Sequence, residues 1–258
     1  MQHRPRKRFG QNFLTDANVV RKIIAAIRPR ADDLMVEIGP GLGAMTAPLL
    51  ETLRHLHVVE IDRDLIARLA REFPADKLTI HAGDALEFDF ASLGEKLRVV
   101  GNLPYNISTP LLFHLAAHAR QLEDMHFMLQ REVVERMAAE PGSAAYGRLS
   151  VMLQYRFMVE RLFIVPPGAF RPAPKMDSAI VRLVPHATLP HPATDEALFQ
   201  RLVTAAFGQR RKTLRNTLRD FLAPPDFDAA GIDSGLRAEN LGVAQFVALA
   251  EQAGRNIA

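Results

Sequence analysis

The chain has 258 residues, 48% of them hydrophobic, enough to bury the core of one large domain or of one domain with a small companion. It has no cysteine, which excludes disulfides and thiolate metal sites and fits a reducing compartment. Lys and Arg outnumber Asp and Glu by 32 to 29, and no apolar run reaches membrane-spanning length or follows the basic N-terminus as a signal core, so a soluble, cytoplasmic protein is expected.

The elements follow from the spacing of apolar and turn residues. Asp16 can cap a helix with apolar positions Val19, Val20, Ile23, Ile24 and Ile27, stopped by Pro29. A strand over Leu34 to Ile38 leads into Gly39-Pro40-Gly41-Leu42-Gly43 and a helix to about Leu53. A strand near Leu56 to Ile61, a helix from Asp64 to Phe73 and a strand near Leu78 to His81 follow, the last ending at Gly83-Asp84. A fourth strand, Leu97 to Val100, runs into Asn102-Leu103-Pro104-Tyr105. Then come a helix near Pro110 to Ala119, a strand over Met125 to Leu129 and a helix near Val133 to Ala139. This alternation predicts an α/β fold, a parallel sheet with helices on both faces.

The pattern then changes. After a helix at Arg148 to Tyr155, two β-rich runs, Phe157 to Val165 and Ala179 to Val184, predict an antiparallel pair that closes the sheet. The Pro-rich loop between them, Pro166 to Pro174, is long enough to be a functional candidate. Pro185 to Pro192 reads as a linker. The helical patterns at Leu198 to Phe207, Thr213 to Leu222 and Val243 to Ala253 predict a small all-helical domain. The expected division is residues 1–186 and 193–258. Arg4, Arg6, Lys7 and Arg8 at one end, and Arg210, Arg211, Lys212, Arg215 and Arg219 near the other, are two basic clusters. They can converge on one polyanion or remain two solvated segments.

Three successive strand ends carry a glycine loop, Glu60 and Asp84. Glycines allow a tight turn and close approach of backbone to a ligand. A carboxylate 21 residues after Gly39 can accept both hydroxyls of a ribose, and Asp84 is placed to meet an adenine edge. Singly, each acid reads as a surface carboxylate or helix cap. Jointly they predict a nucleoside-binding crevice at the carboxyl edge of the sheet. The spacing Gly-x-Gly-x-Gly differs from the Gly-x-Gly-x-x-Gly of dinucleotide sites.

Asn102 to Tyr105 puts two acceptors and an aromatic face at one strand end. The acceptors are the Asn102 side-chain oxygen and the Leu103 carbonyl, which Pro104 biases away from helical geometry. That set suits a flat substrate with an exocyclic amino group; the alternative is an ordinary strand-to-helix turn. His114 and His118 have helical metal spacing, but with no neighbouring Glu or any Cys they read as solvated, and no metal is expected. Ser178 has no His–acid arrangement near it in sequence and is not read as a nucleophile.

With Glu37-Ile38-Gly39-Pro40-Gly41-Leu42-Gly43, Glu60, Asp84 and Asn102-Leu103-Pro104-Tyr105, the chain resembles an S-adenosylmethionine-dependent N-methyltransferase. Arg8-Phe9-Gly10-Gln11-Asn12-Phe13-Leu14 resembles the N-terminal signature of rRNA adenine N6-dimethyltransferases. Phe170 to Ala179, Arg211 to Asn216 and Arg237 to Asn240 resemble segments of the KsgA/RsmA family, with Met176 where that family more often has Val. The resemblance implies a Rossmann-like methyltransferase sheet with a helical C-terminal domain. It implies cofactor contacts at Asn12, Leu14, Gly39, Glu60, Asp84 and Asn102. For the chemistry, Tyr105 is expected to stack on one face of the target adenine and Phe170 on the other. For Phe170 the alternative is a core residue anchoring its loop. The implied activity is dimethylation of N6 of two adjacent adenosines in the 3′-terminal hairpin loop of small-subunit (16S) rRNA. The implied partner is a 30S ribosomal precursor, met by a monomer that also serves late in subunit assembly. Two rivals remain: a large-subunit rRNA methyltransferase of the macrolide-resistance type, and an assembly factor with a vestigial cofactor site.

Overall fold

The computed structural model describes residues 12–256. The basic cluster Arg4 to Arg8 and the stretch Phe9-Gly10-Gln11 lie outside the described residues. The chain falls into two compact units, one running up to Val134 and including Val159–Pro185, the other Glu135–Met158 with His186 onward.

In the first unit β1 (Phe13–Leu14) precedes α1 (Ala17–Ile27), whose first N–H groups, of Asn18 and Val19, donate to Asp16. Then come β2 (Met35–Ile38), α2 (Thr46–Leu50), β3 (Leu56–Glu60), α3 (Arg63–Glu72), β4 (Leu78–Ala82), β5 (Leu97–Asn102), α4 (Ser108–Ala117), β6 (Leu122–Gln130) and α5 (Arg131–Met137). After an excursion into the second unit, β7 (Phe157–Val165), β8 (Phe170–Arg171) and β9 (Ser178–Pro185) complete it. The sheet order is β4-β3-β2-β5-β6-β9-β7, with β2 to β6 parallel and β9 antiparallel to β6. This is the expected Rossmann-like methyltransferase sheet with an antiparallel closing strand. Every residue of β2 is buried, as a central parallel strand covered on both faces must be.

In the first unit two local readings differ from expectation. The helix after the glycine loop starts only at Thr46, because turns occupy residues 41–45. The Pro166–Pro174 loop is not wholly irregular: Phe170 and Arg171 form β8, which pairs antiparallel with β1 (Leu14↔Phe170). Two-residue strands 157 positions apart leave no local pattern to find.

At the amino end of β5, Arg98 is 4% exposed and grips Asp124 through two hydrogen bonds of 2.9 and 2.8 Å. It also donates to Asp33 and to the Ile27 and Arg28 carbonyls at the end of α1. A buried charge is tolerated when it is so fully paired, and the grip fixes where β5 starts and hence where Asn102 ends it.

The second unit contains α6 (Arg148–Arg156), α7 (Glu196–Ala206), α8 (Leu214–Thr217), α9 (Pro224–Ala229) and α10 (Val243–Arg255) around a core with Phe199, Leu202, Phe246 and Leu249. Sequence reading places α6 with residues 1–186; here its Tyr155 ring lies 4.6 Å from that of Phe199, and its hydroxyl donates to Glu196. The apolar face of α6 is completed by helices distant in sequence, which only packing reveals. The expected helix at Thr213 to Leu222 is one turn, α8, and α9 opens on Pro224, a favoured first helical residue.

Candidate active site

A cavity of about 310 Å³ opens at the carboxyl edge of the sheet, where the chain reverses direction of travel between β2 and β5. Open α/β sheets bind ligands at such a switch point, because the two neighbouring connections depart to opposite faces. Asn12, Leu14, Gly39, Glu60, Asp84, Asn102, Leu103 and Tyr105 all line it.

One side is the glycine loop and the two acids. Gly39, Gly41 and Gly43 have φ of 65°, 60° and 82°, a region that favours glycine. Glu60 Oε1 accepts from the Ile61 and Asp62 N–H groups, both at 2.9 Å, and Oε2 from Gly41 N–H at 3.4 Å. Burial raises the Glu60 carboxyl above the usual range, and these backbone donors oppose the rise. Asp84 Oδ1 accepts from Leu86 N–H at 2.9 Å. Glu37 is 1% exposed and accepts from the Thr46 hydroxyl at 2.6 Å. Burial pushes its carboxyl up to about 7, against the Thr46 hydrogen bond and with a further push from Glu60.

Among the described lining residues the charged side chains are Glu37, Glu60 and Asp84, with no Lys, Arg or His. Such a lining repels phosphate and suits a cationic nucleoside. This is the chemistry of S-adenosylmethionine, whose sulfonium and ammonium are cations and whose ribose and adenine offer donors.

The other side is Asn102 to Tyr105. Asn102 Nδ2 donates to the Asn12 carbonyl at 3.0 Å, which fixes the amide orientation and leaves Oδ1 as its acceptor end. The Leu103 N–H donates to Met128 O at 3.1 Å, tying the turn to β6. The Tyr105 hydroxyl meets the Ser178 hydroxyl at 2.8 Å. Burial raises the Tyr105 phenol above its ordinary value, and the Ser178 contact opposes that.

Phe170 requires a correction. It does not line the cavity; its ring is 1% exposed and belongs to the core with Leu14, Ile23, Val100 and Met128. Pairing of β8 with β1 turns Phe170 inward while Arg171 is exposed, so it anchors the loop instead of offering a face to a base. Sequence reading also passed over Gly101. A Cβ there would lie 2.6 Å from the Ile38 carbonyl oxygen on β2, so only glycine lets β5 lie against β2 one residue before Asn102. A glycine inside a strand pattern is the signal that could have found it. The expected basic cluster Arg210, Arg211, Lys212, Arg215 and Arg219 is exposed on the second unit, where Arg210 also donates to the Ala144 carbonyl. No helix among the described residues is long and apolar enough to cross a membrane.

The family model described as ribosomal RNA adenine dimethylase matches residues 2–254. A protein of Aromatoleum aromaticum named ribosomal RNA small subunit methyltransferase A is 68% identical over 248 residues, covering 96% of this chain and 94% of the relative. Its counterpart of the same name in Pseudomonas aeruginosa is 60% identical over 255 residues, covering 97% and 95%. Among solved structures, a dimethyladenosine transferase from Plasmodium falciparum matches with a TM-score of 0.79 and 26% identity, covering 92% of this chain and 95% of that one. The 23S rRNA methyltransferase ErmE matches at 0.72 with 25% identity, covering 94% and 100%. The chain belongs to the ribosomal RNA adenine dimethylase family and is an S-adenosylmethionine-dependent rRNA adenine methyltransferase.

Proposed function

We propose that the chain dimethylates N6 of two adjacent adenosines in the 3′-terminal hairpin loop of small-subunit rRNA, acting as a cytoplasmic monomer on a 30S precursor and serving as a late assembly factor. The observation that carries the reading is the Asn102 amide, held by the Asn12 carbonyl so that Oδ1 remains the acceptor at the cavity. The names of the high-identity relatives support the small-subunit substrate.

The bound cofactor supplies an electrophilic methyl group. Glu60 accepts the ribose hydroxyls, Asp84 the adenine edge, and Gly39, Asn12 and Leu14 close around the remainder. Adenine N6 is a poor nucleophile because its lone pair is delocalised into the ring. The site therefore needs position and polarisation more than a strong base. Asn102 Oδ1 and the Leu103 carbonyl accept the N6 hydrogens, favour a pyramidal nitrogen and align it for in-line attack. Tyr105 stacks on the adenine, which must first leave its own stack, so a flexible single-stranded loop is the natural substrate. The proton passes to water after transfer. Exposed Arg210, Arg211 and Lys212 add affinity through phosphate contacts.

The test is transfer of labelled methyl from S-adenosylmethionine to small-subunit particles from cells lacking the modification, with the modified base mapped and large-subunit RNA run alongside. Dimethyladenosine at two adjacent positions near the 3′ end is expected. Label on large-subunit RNA instead, or particle binding without label, overturns the reading. Asn102→Ala should abolish transfer while cofactor binding, by calorimetry, is weakened but measurable; unchanged turnover removes the proposed role of the amide. Neutralising Arg210, Arg211 and Lys212 together should weaken particle binding and flatten its salt dependence, and an unaltered slope removes their role.

A further inference from the structure

Ser178 sits 73 residues after Tyr105 and is completely buried, yet it brings a hydroxyl into a place where an alanine would pack without any polar group to satisfy. Its position is fixed by the sheet. As the first residue of β9 it pairs with Gln130 at the end of β6, and the preceding carbonyl, of Asp177, accepts from the Arg131 N–H at 3.0 Å. The hydroxyl of Ser178 meets that of Tyr105 at 2.8 Å, and either can donate. Tyr105 itself lies in a turn, with its carbonyl accepting from the Ser108 hydroxyl at 3.1 Å, and its ring is only half-buried. A half-exposed ring on a turn has rotamer freedom unless its far end is tied down. The Ser178 hydroxyl is that tie.

We propose that Ser178 is a positioning residue for methyl transfer, holding the Tyr105 ring in the orientation that stacks the target adenine. This rests on the reading of Tyr105 as the stacking face. The strand that begins at Ser178 follows the loop after β8, and β8 pairs with β1, next to Asn12. One segment therefore supports the Tyr105 ring directly and flanks the residue that orients the Asn102 amide.

The test compares Ser178→Ala, Ser178→Thr, Tyr105→Phe, Tyr105→Ala and the double variant Ser178→Ala with Tyr105→Phe. The assay is single-turnover and steady-state methyl transfer to unmodified small-subunit particles. Ser178→Ala and Tyr105→Phe should each lower kcat about 3- to 10-fold, the range of one hydrogen bond, with the KM for S-adenosylmethionine unchanged. The double variant should be no slower than the slower single variant, because both remove the same interaction. Ser178→Thr, which keeps the hydroxyl, should recover most of the rate. A wild-type rate in Ser178→Ala, or losses that multiply in the double variant, overturns the proposal. Where Ser178→Ala fails to fold, Tyr105→Phe decides alone, and a wild-type rate overturns the proposal. A wild-type rate in Tyr105→Ala instead removes the stacking reading itself. Loss in Tyr105→Ala with Tyr105→Phe and Ser178→Ala intact removes only the positioning role.

Discussion

On the side of the cavity proposed to hold the cofactor, the hydrogen bonds that fix the glycine loop and the two acids span short stretches of chain. Glu60 binds the N–H groups one and two residues on, Asp84 the one two residues on, Thr46 reaches Glu37 across 9, and Gly41 reaches Glu60 across 19. On the side proposed to receive the target base, Asn102 is oriented by Asn12 across 90 residues and Tyr105 meets Ser178 across 73. The first side is built from successive turns of one repeating strand–helix unit. The second is built where β5 meets an N-terminal segment and a late antiparallel strand. The contrast predicts that the glycine loop and its two acids tolerate distant change, whereas Leu14, which pairs with Phe170, and the Asn102 side depend on segments far along the chain. Variants on the base side should lose transfer even at saturating cofactor, and variants on the cofactor side should be rescued by concentration.

Gly101→Ala tests the base side most severely. Its Cβ would press on the Ile38 carbonyl, displacing β5 and Asn102 with it. A displacement of about 1 Å at a reacting group costs about 100-fold in rate, so transfer at saturating S-adenosylmethionine should fall at least that far. Near-normal kcat would show that β5 tolerates the shift and would break the contrast. Glu60→Ala is the matching change on the other side. Hydrogen bonds to a charged group contribute roughly 1.5–3 kcal/mol each, so cofactor Kd should rise at least about tenfold, by calorimetry. Transfer at saturating cofactor should return near to wild type; a kcat that stays low would place Glu60 in the chemical step.

The remaining prediction concerns stability instead of rate, and rests on Glu37. Its carboxyl is raised by burial from 4.5 to about 7 in the folded protein. At pH below 4.5 it is protonated folded and unfolded alike, and its contribution to stability is complete. As pH rises towards 7 the unfolded chain ionises first, and the contribution is lost. The loss amounts to roughly 3 kcal/mol at most. Urea denaturation of the ligand-free protein between pH 5 and 8 should show this decline, and Glu37→Gln should remove it. An identical pH profile in the variant would mean that the carboxyl ionises freely. Bound cationic cofactor should flatten the decline by favouring the ionised carboxylate, a difference that sharpens the electrostatic character of the cofactor side.

Much is legible in the sequence because the information is local. Apolar spacing gave the strand–helix alternation, and the positions of Gly39, Glu60, Asp84 and Asn102 at strand ends followed from it. The inward turn of Phe170 is not legible locally, because β8 is two residues long and its pairing with β1 decides it. For Ser178 the sequence speaks only against a nucleophile, because nothing near it marks a partner 73 residues away.

By itself, the sequence determined the class of fold, the alternation of the main strands and helices, and which strand ends line the cavity, since periodicity and turn residues act over a few positions. Tertiary structure alone decided which strands are neighbours, that β2 and β5 meet at a position only Gly101 allows, and that Phe170 is core while Ser178 reaches Tyr105. Those outcomes depend on packing between segments distant in the chain, where each contact forms only because many others hold the backbone in place.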